Sequence, residues 1–135
     1  MLTGGCACGA LRYRAEGEPL MQGFCHCRSC QRTSGAGHVG WLCFPESAVT
    51  VEGKTTSFMR AGGSGQAASR YACPVCLSVV YGTADVMPGQ INLYAGSLDE
   101  PERFKPTIAI FTSEKPPWDD VSRGLTRYET VPSQH

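Results

Sequence analysis

The sequence lacks an excess of charge of either sign. Its 12 lysine and arginine residues balance 12 aspartate and glutamate residues, so the formal net charge at pH 7 is zero. A neutral chain exerts no long-range attraction on phosphate backbones or anionic lipid surfaces. Nucleic acid and membrane surfaces are therefore poor first hypotheses for its partners.

Long apolar segments are also missing. The longest apolar runs cover only a few residues, too short for a helix that crosses a bilayer. The opening stretch MLTGGCACGA has neither the basic region nor the apolar region of a secretory leader. We therefore expect a cytoplasmic protein.

A sustained helical period is absent as well. No segment repeats apolar residues every three to four positions over several turns, so helix content should be low. Only RSCQRTSG, residues 28–35, is expected to form one or two helical turns, which Gly35 would end. AGGSGQ, residues 61–66, predicts a flexible hairpin tip because its glycines restrict the backbone little.

Short alternating segments dominate instead. In ALRYRAE, the residues Leu11, Tyr13 and Ala15 alternate with polar ones, which is the period of a strand with one buried face. Comparable segments, rich in β-branched and aromatic residues, lie at 38–44, 48–52, 56–60, 69–72, 78–82, 91–96 and 107–113. The sequence predicts a single all-β domain over residues 1–135, with a core at about 4–128 and a frayed C-terminal tail.

Cysteine is the residue present in excess. Of eight cysteines, seven form three tight groups, namely Cys6 with Cys8, Cys25 with Cys27 and Cys30, and Cys73 with Cys76. In a reducing compartment such usage favours metal or catalytic chemistry over disulfides. Zinc suits these spacings, because a turn of one or two intervening residues lets two thiolates converge on a tetrahedral ion.

Seven grouped cysteines do not divide into two closed four-thiolate sites. The two pairs can combine into one four-cysteine structural zinc site that ties the N-terminus to the middle of the chain. The trio of Cys25, Cys27 and Cys30 would then hold a second zinc and leave its fourth position open, as in catalytic zinc sites. The sequence thus predicts two zinc ions per chain.

The second site has alternatives. Cys43, His26 or His38 could close it with a fourth protein ligand, although Cys43 lies in the apolar run WLCF, where a free cysteine usually behaves as a small buried hydrophobe. A redox dithiol in CRSC or CPVC is another interpretation, but the βαβ context of such motifs is missing.

The order GGCACGALRY, CHCRSCQRTSGA, YACPVC, YAGSLD and EKPPW resembles the glutathione-dependent formaldehyde-activating family, also described with the centromere protein V domain. The resemblance covers roughly Gly4 to Tyr128. It implies the β-tent fold, a small antiparallel β architecture with a zinc-pinned apex. It further implies a structural zinc on Cys6, Cys8, Cys73 and Cys76, and a catalytic zinc on Cys25, Cys27 and Cys30.

The resemblance also implies a reaction. The family's named activity condenses formaldehyde with glutathione to S-hydroxymethylglutathione, formally a carbon–sulfur lyase reaction run in reverse. Another aldehyde or a related glutathione adduct would use the same zinc, since a shared site does not fix a substrate. The alternative is a non-catalytic, zinc-stabilised binding domain, which predicts four protein ligands on both ions.

One departure from the family pattern concerns the CPVC knuckle. Family members commonly carry glycine directly after it, whereas Leu77 follows Cys76 here. A positive φ is costly for a residue other than glycine, so the turn of the knuckle could be altered.

The turn after the trio is expected to recognise the carboxylates of glutathione. The candidate groups are the side chains of Arg28, Gln31, Arg32 and Ser34 and the amide of Gly35. The arginines could instead form a solvated face, and Gln31 and Ser34 could cap the turn. Trp118 is expected either to line the substrate cleft or to plug the core beneath the C-terminal segment.

Overall fold

A computed structural model describes residues 1–132 of the protein. Within that range the chain forms one α-helix and eleven strands, connected by turns and short 3₁₀ segments. They are β1 (Leu2–Gly5), β2 (Arg12–Ala15), β3 (Met21–Cys25), α1 (Arg28–Ser34), β4 (Val39–Pro45), β5 (Val49–Glu52), β6 (Thr56–Ala61), β7 (Ala67–Ala72), β8 (Val79–Ala84), β9 (Gln90–Tyr94), β10 (Ile108–Ile110) and β11 (Thr126–Arg127).

The all-β class predicted from the sequence is confirmed. Every alternating segment singled out above contains a strand, and the predicted helical turn is α1. Gly35 ends α1 with φ of 74°, the left-handed conformation that favours glycine at this position. Sequence reasoning missed β1, β3 and β11, because LTGG and MQGFC contain glycine and β11 has only two residues.

The strands form two sheets. A three-stranded antiparallel sheet has the order β1-β2-β5, and an eight-stranded sheet has the order β11-β10-β3-β4-β9-β8-β7-β6. Pairing in the larger sheet is antiparallel except at β10, which runs parallel to both β3 and β11. The parallel pairing of β10 with β3 thus joins residues more than eighty positions apart in the chain.

The main core brings side chains of both sheets together. On β2 the period of two buries Tyr13 and Ala15 and exposes Arg14, as the sequence predicted. Fully buried side chains of the larger sheet belong to the same apolar cluster, namely Leu42, Phe44, Val80 and Leu93. The Tyr13 hydroxyl is satisfied by a 2.8 Å hydrogen bond with Ser97 Oγ. Burying this apolar area stabilises the contact between the two sheets.

The C-terminal segment returns to the larger sheet. The backbone N–H of Phe111 donates to the carbonyl of Thr130 at 2.9 Å. The frayed tail predicted after residue 128 falls partly on residues 133–135, which lie outside the described residues. Trp118 is 71% exposed, so the interpretation of this residue as a core plug is wrong. No helix in residues 1–132 is long and apolar enough to cross a membrane.

The CPVC knuckle closes although leucine stands where glycine is expected. Leu77 has φ of 64°, and its N–H donates to the Cys73 carbonyl at 2.8 Å. Its side chain is 69% exposed, so little packing offsets the backbone strain. The left-handed conformation costs a leucine about 1–2 kcal/mol. Leu77 therefore keeps the turn of the family pattern at the expense of stability.

Replacing Leu77 with glycine is expected to raise the free energy of unfolding of the protein by about 1 kcal/mol, because it removes this strain. Chemical denaturation measures the change. Val75→Gly is the matched control, since Val75 is similarly exposed in the same knuckle but has no positive φ. The Val75→Gly control should lose stability. An equal change in the free energy of unfolding for both variants would contradict backbone strain at Leu77.

The tip of the hairpin formed by β6 and β7 lies against a second, smaller apolar cluster, which includes Cys27 and Phe111. A Cβ on Gly63 would lie 2.8 Å from the Cβ of Cys27 and 2.8 Å from ring atoms of Phe111. Gly63 is thus required by a close approach of backbone to side chains, not by its φ. The segment expected to be a free tip is in contact with the cysteine trio.

Gly63→Ala should lower the free energy of unfolding by about 1–3 kcal/mol, because the added methyl group overpacks this contact. Gly62→Ala is the control. A Cβ there meets nothing closer than 3.4 Å. Thermal unfolding of both variants checks the prediction, and indistinguishable midpoints would mean that the hairpin tip does not rest on the trio.

Candidate metal centres

Two turns from different sheets bring four cysteines together. Cys6 and Cys8 lie between β1 and β2, and Cys73 and Cys76 lie between β7 and β8. Their four sulfur atoms all lie within 4.8 Å of one another. The Cys8 sulfur is 3.7 Å from the sulfurs of both Cys6 and Cys73. This four-cysteine cluster could hold a metal ion, and it joins the pairs that sequence analysis grouped.

Backbone N–H groups point at the sulfurs of this cluster. The N–H of Leu11 donates to Cys6 Sγ at 3.2 Å, and the N–H of Val75 donates to Cys73 Sγ at 3.4 Å. Such donors stabilise thiolates, the form in which cysteine binds a metal. Hydrogen bonds with Ser78 lower the pKa of Cys76 to about 5. The CPVC knuckle therefore favours a deprotonated sulfur at Cys76.

The second cluster is local in sequence. Cys25 ends β3, Cys27 is the N-cap of α1, and Cys30 lies in its first turn. The N–H of Cys30 donates to Cys27 Sγ at 3.3 Å, so this N-cap hydrogen bond holds the Cys27 sulfur at the start of α1. The three sulfurs lie within 4.8 Å of one another, so this trio could also hold a metal ion.

The trio is more buried than the four-cysteine cluster. Cys25 and Cys27 are 8% and 2% exposed, and Cys30 is half-buried, whereas Cys8 is exposed. The β10 strand, the β6–β7 hairpin and Phe111 cover the trio. Hydrogen bonds from Cys25 and Cys30, with backbone N–H groups of Cys30 and Gly63, lower the pKa of Cys27.

The side chains proposed as a fourth ligand make other contacts. The Cys43 thiol donates to Gln90 Oε1 at 3.0 Å, and burial raises its pKa to about 11. His26 is buried, and its Nδ1 lies 3.0 Å from the Gly37 carbonyl. Since a carbonyl only accepts, His26 Nδ1 carries the proton. None of these side chains joins the trio within ligand distance in the described chain.

A histidine and carboxylate cluster flanks the trio on the side of His26. Asp119 is buried and accepts a 2.8 Å hydrogen bond from His38 Nδ1. Burial opposes ionisation of Asp119, but the bonds from His38 and from the Val121 N–H outweigh it and lower the pKa of Asp119. Burial lowers the pKa of His26. These contacts fix the segment between β3 and β4.

The predicted substrate contacts fall into two groups. Arg28 and Arg32 are exposed, whereas Gln31 is buried and donates to the carbonyls of His26 and Glu114 at 2.7 and 2.9 Å. Ser34 Oγ donates to the Cys30 carbonyl at 2.7 Å. Gly35, which ends α1, donates its N–H to the Gln31 carbonyl. Gln31, Ser34 and the Gly35 amide are thus engaged in hydrogen bonds within the protein. Substrate contact by any of the predicted residues stays a prediction.

Sequence reasoning missed Arg70, a residue that contacts the trio. Arg70 lies on β7, is 4% exposed, and places Nη2 3.8 Å from Cys30 Sγ. No local signal marks it, because the alternation of SRYA only places Arg70 and Ala72 on one face of β7 and Tyr71 on the other. A charged residue this buried is rare without a partner.

Two surface depressions are described. One, of about 170 Å³, lies along β2 and β5, and the other, of about 470 Å³, lies beside the four-cysteine cluster and includes Cys6, Ser78, Ser97 and Asp99. The trio lines neither of them. Cys30 is the most exposed member of the trio and so offers the most direct approach for a reactant.

Known proteins resemble this chain in sequence and in fold. A Halomonas elongata protein named "Putative glutathione-dependent formaldehyde-activating enzyme" is 27% identical over 131 residues, covering 90% of this chain and 81% of its own. The crystal structure of a Rhodobacter sphaeroides protein superposes with a TM-score of 0.59 at 16% identity, covering 93% of this chain and 98% of that one. The latter likeness concerns the fold alone.

The family comparison covers most of the chain. The family model described as "Glutathione-dependent formaldehyde-activating enzyme" matches residues 1–114, which include both cysteine clusters and the strands that carry them. The chain belongs to the glutathione-dependent formaldehyde-activating enzyme family.

Proposed function

We propose that the protein holds two zinc ions and that the ion on Cys25, Cys27 and Cys30 serves the addition of glutathione to formaldehyde. The observation that carries this proposal is the unequal size of the two clusters, four thiols and three. A tetrahedral ion on three thiolates keeps one position for an outside ligand. Family membership supports a thiol and an aldehyde as the reactants.

The four-cysteine cluster is proposed as the structural site. Four thiolates complete a tetrahedron and leave no position for chemistry. Thiolate donors suit zinc among the common divalent ions, and a structural zinc contributes about 10 kcal/mol or more to folding. That contribution equals the whole net stability of a typical small domain. Loss of this ion is therefore expected to unfold the protein.

At the trio, a bound zinc would lower the pKa of an incoming thiol and so supply a thiolate at neutral pH. The sulfur lone pair forms a carbon–sulfur bond to the formaldehyde carbon while the carbonyl π pair moves to oxygen. The proton released by the thiol reaches that oxygen through solvent, giving S-hydroxymethylglutathione. Atoms and charge balance without an oxidant or reductant.

The residues of this chain supply orientation and exclusion of water. Trp41 and Phe111 are buried in the same cluster as the trio and form apolar walls beside the sulfurs. In such surroundings electrostatic interactions are stronger than in water. Arg28 and Arg32, exposed on α1, are the proposed partners of the glutathione carboxylates. The eight free cysteines fit a reducing compartment, and we propose the cytoplasm.

A second candidate function is a zinc-stabilised binding domain without catalysis. The burial of the trio under Gly63 and Phe111 favours it, since a covered site has less room for a tripeptide. The same domain acting on a different glutathione adduct would share every feature described so far. Substrate experiments separate these possibilities.

Replacing Cys73 with serine should abolish folding, because it breaks the cluster that joins the two sheets. Cys27→Ser should fold, since serine is an equally good N-cap for α1, but should lose one zinc and the activity. Metal analysis and thermal unfolding of both variants check this, with two zinc ions per chain expected in the reduced wild-type protein. Equal loss of stability would mean that both ions are structural.

Glutathione should bind the zinc-loaded protein more tightly than S-methylglutathione, which cannot form a thiolate. Its affinity should fall by about tenfold per pH unit as the pH drops below the thiol pKa, because each bound sulfur releases one proton. Calorimetry between about pH 8 and about pH 6 measures both effects. Equal affinities for the two peptides would exclude the sulfur as a ligand.

The reaction itself is tested by NMR of glutathione and formaldehyde with the zinc-loaded protein. The expected result is faster formation of S-hydroxymethylglutathione than in buffer. Equal rates for the wild-type protein and the Cys27→Ser variant would contradict catalysis by the trio. Other aldehydes in the same assay define the substrate range.

A further inference from the structure

Arg70 is a buried charge without a conventional partner. It is 4% exposed, and its Nε and Nη1 atoms make no hydrogen bond with the described residues. No carboxylate within residues 1–132 forms an ion pair with it. A guanidinium stays protonated at any physiological pH, so this charge cannot be removed by losing a proton. Burying it requires a compensating negative charge.

Arg70 lies beside the trio, whose sulfurs carry negative charge only as thiolates. Its Nη2 lies 3.8 Å from Cys30 Sγ, near the limit for a hydrogen bond to sulfur. The charge of Arg70 also opposes the rise in the pKa of Tyr94 that burial causes, as expected for a guanidinium beside that hydroxyl. Arg70 is thus held between Tyr94 and the trio.

The fold supplies room for this arrangement. Arg70 pairs with Gly82 of β8 across the sheet, and Gly82 has no side chain to fill the space. The Tyr94 hydroxyl occupies the position that a Cβ on Gly82 would take. A larger residue at position 82 would displace Tyr94 and leave Arg70 unsupported. The arginine position is therefore built by three strands, β7, β8 and β9.

The charges of the trio and the arginine cancel when a zinc ion is present. Zinc with three thiolates carries a formal charge of −1, and the arginine supplies +1. Without Arg70 the buried centre would keep a net negative charge in apolar surroundings, which disfavours binding of a third thiolate and lowers metal affinity. The unpartnered guanidinium atoms fit a metal-bound anionic cluster better than three neutral thiols.

We propose that Arg70 is a positioning residue that balances the charge of the metal-bound trio and keeps its metal in place. This role acts through Cys30 and rests on the proposed zinc at the trio. It is distinct from any contact of Arg28 or Arg32 with the substrate.

The test measures zinc retention in the full-length, zinc-loaded protein. Arg70→Gln and Arg70→Met should weaken the zinc of the trio by about 10–100-fold in competition with a chromophoric chelator, while the second zinc stays bound. Arg70→Lys keeps the charge and should restore most of the affinity. Arg60→Met is the matched control, since Arg60 is an exposed arginine on the neighbouring strand β6.

Thiol alkylation followed by mass spectrometry identifies which zinc is lost. In Arg70→Gln the cysteines of the trio should become labelled at chelator concentrations that leave Cys6, Cys8, Cys73 and Cys76 protected. Wild-type retention in both neutral variants, or equal loss of both ions in every variant including Arg70→Lys, would overturn the role of Arg70. If the wild-type protein itself holds only one zinc, the proposed function fails instead.

Discussion

The convergence of four thiols from two separate turns is the constraint on which the rest of the structure depends. Cys6 and Cys8 belong to the small sheet, and Cys73 and Cys76 belong to the large one. An isolated bridge between Gly4 of β1 and Leu98, which follows β9 in the chain, adds to this link. Because the core between the sheets is modest, a metal on these thiols would supply much of the stability that burial alone does not.

The trio differs from the four-cysteine cluster. Its three sulfurs are brought together by neighbouring residues, but residues distant in the sequence cover them. A strand end, a helix cap and the first helical turn suffice to gather them. Phe111 from the C-terminal half, Gly63 from a hairpin and Arg70 from β7 then surround them. The covering residues decide the dielectric surroundings and the access route, and hence what chemistry three thiolates can perform.

Two backbone positions carry strain close to the clusters. Leu77 closes the knuckle of the four-cysteine cluster with φ of 64°, and Phe111 packs on the trio with φ of 53°. A left-handed backbone at a leucine or phenylalanine persists only where surrounding contacts hold it. At Phe111 the ring is buried against the trio, so packing offsets the strain, whereas exposed Leu77 has the turn alone to maintain it.

The sequence by itself determined eight of the eleven strands, the short helix ended by Gly35, and the division of seven cysteines into two pairs and a trio, because these depend on residues close together in the chain. Only the tertiary structure decided that the trio is buried, that Cys43 bonds to Gln90 instead of joining it, and that Arg70 contacts Cys30. The physical reason is that burial and charge pairing depend on residues forty or more positions apart, which strand pairing alone brings into contact.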